Sequence, residues 1–336
     1  QVFPLLADRV QLQACLTRYL DDTLKGTGLT YETFGSYAYL LVNVTGDQLG
    51  TMWSSDNNIG WWAEREVSFC IPTRWYRDGE LISVGLVSPF VYANNGRAVI
   101  TDREVNGRPS AHANIDSPKD AWLTSSGPNQ GRRLLHMDTE AFPALHLGQR
   151  SERCTLLEID EHDVLPYNDD VGWRMVADAW GETLVDDLRR KAEERRAEYD
   201  ALTQVKALAL ELLAHRQPIN WINLKQYRDA ADAERACYQA AVHIRRTITA
   251  IYDIREIEPR LHVRVHRLPG HPIVETLGLK VKSVDSVGGK VIENLQPLRP
   301  FWMRVAIREE LGTVAAWRTD ETAWHVTHPW FTAAAS

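Results

Sequence analysis

The stretch Tyr37-Ala-Tyr-Leu-Leu-Val-Asn-Val44, followed by Glu66-Val-Ser-Phe-Cys-Ile71, decides the fold class. Both runs are short, rich in aromatic and β-branched residues, and set among Gly, Asn and Asp, which marks strands joined by turns. The same texture fills the region from Ser36 to Ser110 and returns after Pro218. There Ile219-Asn-Trp-Ile-Asn-Leu224 alternates, Arg235-Ala-Cys-Tyr-Gln-Ala-Ala-Val242 follows, and Leu261-His-Val-Arg-Val-His266 alternates again before a turn at Pro269-Gly270. Two helical patterns interrupt this texture. From Asp8 to Leu24 the apolar positions Leu12, Leu16, Tyr19, Leu20 and Leu24 approach a 3.6 period, with Asp8 as N-cap and Gly26 as stop. At about 170–215, Trp180, Leu184, Leu188 and Ala192 flank the charged run Arg189-Arg-Lys-Ala-Glu-Glu-Arg-Arg-Ala-Glu198, whose i,i+4 pairs suit a solvated helix face. The intervening segment 110–163 reads as loop-rich, with Ser-Pro and Gly-Pro steps. The expectation is an α+β chain, with both strand-rich portions contributing to one antiparallel sheet system.

Bulk composition narrows the function classes. A chain of 336 residues with 44% hydrophobic content can bury a large core, and its formal net charge of -7 offers no footprint for a phosphate backbone. Nucleic acid is therefore not an expected partner. No apolar run approaches the roughly 20 residues that span a bilayer, and the opening residues lack the pattern of a signal peptide. A cytoplasmic location and no membrane partner follow as expectations, and a start at Gln1 points to residues upstream. Cys15, Cys70, Cys154 and Cys237 are too dispersed for a zinc knuckle or a disulfide framework, so we read them as buried free thiols. His262 and His266 share one face of an alternating strand, but four residues put them about 13 Å apart, too far to ligate one metal. No metal and no cofactor are expected.

Two stretches carry a family resemblance. Gly60-Trp-Trp-Ala-Glu-Arg-Glu66 leads to Val99-Ile-Thr-Asp-Arg-Glu-Val-Asn-Gly-Arg-Pro-Ser-Ala-His112, and later comes Asn223-Leu-Lys-Gln-Tyr-Arg-Asp229. These resemble the acetoacetate decarboxylase-like superfamily, whose members carry Gly-x-aromatic-x-Glu on a strand. A Gly-Arg-Glu-x-x-Gly-x-Pro-Lys-Lys-like signature follows, in which the lysine after the proline forms a Schiff base. The resemblance implies an antiparallel β-rich fold around a cavity, a single domain over 1–336 with the helical segment at about 170–215 as an insertion, and a homo-oligomer. It also implies a small-molecule carbonyl substrate.

The departure from the family is chemical. Pro109-Ser110-Ala111 stands where relatives have Pro-Lys-Lys, and serine cannot form an imine. What remains is proton transfer and fixed charge. Glu64 falls at the family's glutamate, and Glu66 shares its strand face, so two carboxyls in a closed cavity would raise each other's pKa towards neutrality. Ser110 is a nucleophile, a hydrogen-bond donor or a space-maker, with His112 as the nearest base. Arg103 and Arg108 offer guanidinium forks for a carboxylate or enolate, although an Arg103–Glu104 ion pair would instead fix the loop. Trp62, with its aromatic neighbours, would line an apolar wall, and Lys225 would bind substrate or serve as a displaced amine. The leading expectation is acid–base catalysis on a β-keto or related carbonyl compound, of lyase, dehydratase, isomerase or cyclase type. The alternatives are a non-catalytic binder that kept the cavity, and an amine-catalysed decarboxylase using Lys225.

Overall fold

The computed structural model describes residues 1–49, 61–117, 133–144, 146–161, 219–257, 261–298, 300–310, 312–319 and 322–327. The helical insertion expected at about 170–215 lies outside these residues. Strand β1 (Val2–Leu6) is followed by α1 (Arg9–Leu16), which runs on as a wider helical turn to Asp21. As its spacing predicts, Asp8 caps α1 by accepting from the Val10 and Gln11 amides, while Leu12, Leu16, Leu20 and Leu24 are buried. The helical turn ends at Asp21 with Asp22 as its C-cap, and Gly26, expected as the stop, takes a left-handed conformation farther on.

Next come β2 (Leu29–Thr33), β3 (Tyr37–Leu49), β4 (Trp61–Arg77) and β5 (Glu80–Ala93). A short helical crossover, α2 (Gly96–Thr101), continues to Asn106 and leads into β6 (Ser110–Asp116). After β7 (Arg133–Ala141) and β8 (Glu152–Glu161), the chain resumes with β9 (Ile219–Arg228), β10 (Ala236–Glu256) and β11 (Leu261–His266). It closes with α3 (Ile273–Leu277), β12 (Val281–Val287), β13 (Lys290–Leu295), β14 (Phe301–Glu309), β15 (Thr313–Thr319) and β16 (His325–Val326). The strands form one sheet system that is antiparallel except where β5 meets β6 and β9. The β-rich α+β expectation therefore holds. The loop-rich reading of 110–163 does not, because that segment contains β6, β7 and β8.

Strand β5 organises the interior. Strand β4 occupies one of its edges along nearly the whole length, so its other partners must share the remaining edge. Gly85–Val87 pairs in parallel with Asn220–Ile222 of β9, and Val91–Ala93 pairs in parallel with Ser110–His112 of β6. Between them the pairing stops at Ser88 and Pro89, which together face the single residue Cys70 of β4 in a β-bulge. Proline has no amide hydrogen to give a ladder, so the bulge falls where a regular bond would be lost anyway. At the first branch the backbones nearly touch. A Cβ on Gly85 would come 2.4 Å from the Asn220 carbonyl oxygen, so glycine is required there. The result is a fork in which β6 and β9 diverge from one strand.

Apolar cores lie on both sides of this sheet. One includes Phe3, Leu16, Phe69, Val87, Ile222 and Val263. The other includes Cys70, Trp221, Ala240, Val242 and Ile244. On β7, β8 and β11, an ion-pair network centres on Glu158, which is 6% exposed. It accepts from Arg133 at 3.0 Å, Arg264 at 3.2 Å and His266 at 3.0 Å. The hydrogen bond from His266, with Arg264 and Arg133, outweighs partial burial and pulls the carboxyl down to about 2. Thus His266, sharing an alternating face with His262, is a carboxylate partner.

Candidate active site

The fork is lined by cross-strand rows. By alternation, Glu64, Glu66, Ser68 and Cys70 share one face of β4, and all four are buried. The register then sets Asn43, Glu66, Ala93 and His112 in one row, and Leu41, Ser68, Val91 and Ser110 in the next. Trp221 and Asn223 point inward from β9, since Ile222 and Leu224 between and beyond them belong to the opposite core. Asn223 is the first β9 residue past the pairing with β5, and Ser88 holds the same place on β5.

The crossover from β5 to β6 closes the fork. Asn95 caps α2 by accepting from the Arg97 amide, and Gly107 ends the helical turn at φ +70°. A Cβ at Gly107 would lie 2.8 Å from the Lys225 amide nitrogen, so only glycine lets the crossover seat on β9. Arg108 follows at once and points back under the crossover, 2% exposed. Its guanidinium forms a two-pronged bond to Glu66 at 2.8 Å on each prong, reaches both Asp102 oxygens at 3.2 Å, and lies 4.9 Å from the Trp221 ring centre. Ser110 is fully buried, and its hydroxyl donates to Asp102 at 2.5 Å. Asn43 adds a donor to Glu66 at 3.3 Å. Arg246, 4.6 Å from the same Trp221 ring, is paired with Glu309.

This geometry corrects two expectations. The Glu66 carboxyl is not raised towards neutrality. Burial acts to raise Glu66, but the Arg108 guanidinium more than offsets it and holds the carboxyl below its ordinary range. Nor is Arg108 open to a substrate carboxylate. Burial disfavours its charge, yet Glu66 and Asp102 together push the guanidinium further into its protonated form, and both terminal nitrogens are already committed. The loop-fixing ion pair is real but belongs to Arg108 with Glu66 and Asp102. The exposed Arg103 instead donates to the Ser110 carbonyl at 3.3 Å.

The remaining predicted residues spread out. Glu64 lies one same-face step from Glu66, opposite Thr45, and is 9% exposed. His112 shares Glu66's row but is exposed, and the Ser110 hydroxyl hydrogen goes to Asp102, so a Ser110–His112 pair is not formed. Trp62 is opposite Gln48 in the β3–β4 register, and its side chain lies outside the described structure. Lys225 is half-buried with its ammonium 5.0 Å from the Tyr227 ring centre and 5.9 Å from that of Tyr238. Cys70 contacts the Ser88 hydroxyl at 3.1 Å, and burial pushes its thiol up to about 11. All four cysteines are free, and only Cys237 is not buried. Among the described residues no group of three or more His, Cys, Asp or Glu is placed to hold a metal ion. In that same set no helix is long and apolar enough to cross a membrane.

Sequence reasoning missed Asp102, Asn43, Trp221 and Asn223. Asn223 is the most unusual, at 1% exposure with neither its carboxamide oxygen nor its nitrogen hydrogen-bonded. The Arg108 Nε is likewise buried and unpartnered.

A β-rich chain with a forked central strand, a helical crossover and a buried polar cluster beneath it is the class that fold and site define. No family model and no curated protein matches the chain. Among solved structures it is similar to an acetoacetate decarboxylase at 11% identity, covering 93% of this chain and 86% of that one with a TM-score of 0.44. It is also similar to the acetoacetate decarboxylase of Legionella pneumophila, at 11% identity, 91% and 83% coverage and a TM-score of 0.41. A third likeness is to an acetoacetate decarboxylase-like enzyme from Sphingomonas wittichii RW1, at 12% identity, 88% and 89% coverage and a TM-score of 0.39. At these identities no residue's role carries across.

Proposed function

We propose that this chain acts on a small carbonyl compound of the β-keto class by proton transfer, without an imine. One observation carries the reading: among the described residues, no amine stands at the position after Pro109. The position after Pro109 is a serine whose hydroxyl is closed on Asp102, and the Lys225 ammonium lies against two tyrosine rings. Glu66 is held by Arg108, and Glu64, buried one step along the same face and at the position of the glutamate in the resembling stretch, is our choice for the proton-transfer group. In this scheme its carboxylate removes a proton from the carbon next to a carbonyl, the electron pair moves to the carbonyl oxygen, and the proton is returned elsewhere on the substrate. Atoms and electrons balance with no oxidant or reductant, and dehydration, isomerisation and cyclisation all share this first step.

A second reading, ligand binding without turnover, is favoured by a separate observation. Glu66, Arg108, Asp102 and Ser110 bond to one another. Two measurements decide between the readings. With a β-keto acid and borohydride, we expect no covalent label; a label on Lys225 would overturn the imine-free mechanism. Glu64→Gln is expected to abolish turnover while ligand still binds. Retained turnover would remove Glu64 from the chemistry, and a wild-type protein that binds but never turns over its ligand is the binder.

A further inference from the structure

We propose that the fork selects an uncharged ligand, anchored by the Asn223 carboxamide acting as donor and acceptor together. The inference rests on the reading of the fork as the substrate site, and it narrows the substrate class. It starts from a cost. Buried polar atoms in folded proteins are nearly always hydrogen-bonded, because a donor or acceptor withdrawn from water without a partner destabilises the fold. Asn223 carries two such atoms on one side chain, at 1% exposure. Stability alone would favour leucine at this position, so the carboxamide has a use that opposes stability.

Its place gives that use. Asn223 is flanked on its own strand face by Trp221, which sits against Arg108, and by Lys225, on which Gly107 rests. It is therefore on the inner wall beside the Glu66–Arg108–Asp102 cluster, at the point where β9 parts from β5. A carboxamide presents an acceptor beside a donor, complementary to a group with the same pair: a primary amide, or a ketone next to an enol or hydroxyl.

Charge supplies the second half. A carboxylate ligand needs a free cation in so dry a place. Among the described residues, the fork's guanidinium already faces two protein carboxyls, Arg246 is paired with Glu309, and the Lys225 ammonium lies against the Tyr227 and Tyr238 rings. Arg103 is exposed and engaged with the Ser110 carbonyl. An anion entering here would meet Glu66 and Asp102 with their countercharge already taken. A neutral compound meets no such opposition.

Acetoacetamide and acetoacetate form a nearly isosteric pair that differs in charge at pH 7, so direct calorimetric binding of both to the full chain tests the idea. We expect acetoacetamide to bind the wild-type protein at least about tenfold more tightly than acetoacetate. Asn223→Leu should weaken acetoacetamide binding roughly tenfold to a hundredfold, by stranding the ligand's polar pair, while its unfolding midpoint stays equal or rises. The inference is overturned if acetoacetate binds as well or better, if neither compound binds, or if Asn223→Leu keeps wild-type affinity. Because binding is read without turnover, failure of the Glu64 chemistry would leave this result standing. Conversely, active Glu64 chemistry with no charge preference would sink only the inference.

Discussion

Replacing Arg108 with methionine puts the ion-pair cluster to a quantitative test. The variant keeps the volume and apolar stem but leaves the Glu66 and Asp102 carboxyls, which are 7% and 8% exposed, without their guanidinium. Removing one partner of a buried pair costs about 3–5 kcal/mol, because the remaining charge is desolvated and uncompensated. With a specific unfolding entropy of roughly 2.1 cal/mol/K per residue over 336 residues, that becomes a fall of about 4–7 °C in melting temperature at pH 7. The penalty should also depend on pH in a definite sense. In the wild-type protein Glu66 has a lowered folded pKa, so its stabilising contribution is present above the unfolded value of about 4.3 and is lost as pH falls through the folded value. Without Arg108, burial alone raises the folded value, and the same carboxyl then favours the folded state only at low pH. The difference in melting temperature between the two proteins must therefore shrink between pH 7 and pH 4. Paired calorimetric scans measure it; a difference below about 1 °C at pH 7, or one that grows on acidification, would refute the account.

Two further expectations concern single side chains. Ser110→Ala removes a hydroxyl donated to Asp102 and should destabilise the protein by about 1.5–3 kcal/mol in urea melts, with turnover reduced rather than abolished; complete loss of turnover at unchanged stability would make Ser110 a nucleophile. Glu158→Gln should flatten the acid limb of the stability curve. The wild-type carboxyl is held at about 2, so its contribution is present above the ordinary carboxylate range and fades as pH falls through about 2. An unchanged slope between pH 5 and pH 2 in denaturation titrations would show that the network on β7, β8 and β11 does not act through Glu158.

Local pattern made several elements legible. Strand β11 coincides with the alternation of Leu261–His266, and α1 starts at the cap that Asp8 predicts. These elements have one face against a core, so a period of 2.0 or 3.6 is written in their own residues. Strands β6 to β8 were hidden because their second face is polar and networked. Arg133, His136, Glu158 and Asp160 break up what would otherwise read as apolar runs in β7 and β8. The fork was not legible at all. It depends on Gly85 meeting Asn220 across 135 positions of chain and on Pro89 ending a ladder, and neither has a local signature. For the same reason the contact between Glu66 and Arg108 has no local signature. Their pairing spans 42 positions, and Asp102 joins only because the helical turn ending at Gly107 folds back over it.

Ser110, where the resembling signature has a lysine, and Arg108, just before Pro109, form one coherent arrangement. An imine-forming amine must lose its proton near neutral pH, which calls for burial and neighbouring positive charge with little negative charge at hand. Here the group after Pro109 is 2.5 Å from the Asp102 carboxylate. An amine in that place would be held as an ammonium, the opposite of the condition required. Serine suits the place because it donates one hydrogen to Asp102 and carries no charge of its own. Arg108 suits the place before Pro109 because a guanidinium, always protonated and forked, can satisfy Glu66 and Asp102 together where a lysine would meet them as a point charge. Beside this cluster the Asn223 carboxamide keeps an unmet polar edge, and Glu64 is buried on β4. On the proposed reading, selectivity would fall to Asn223 and proton transfer to Glu64.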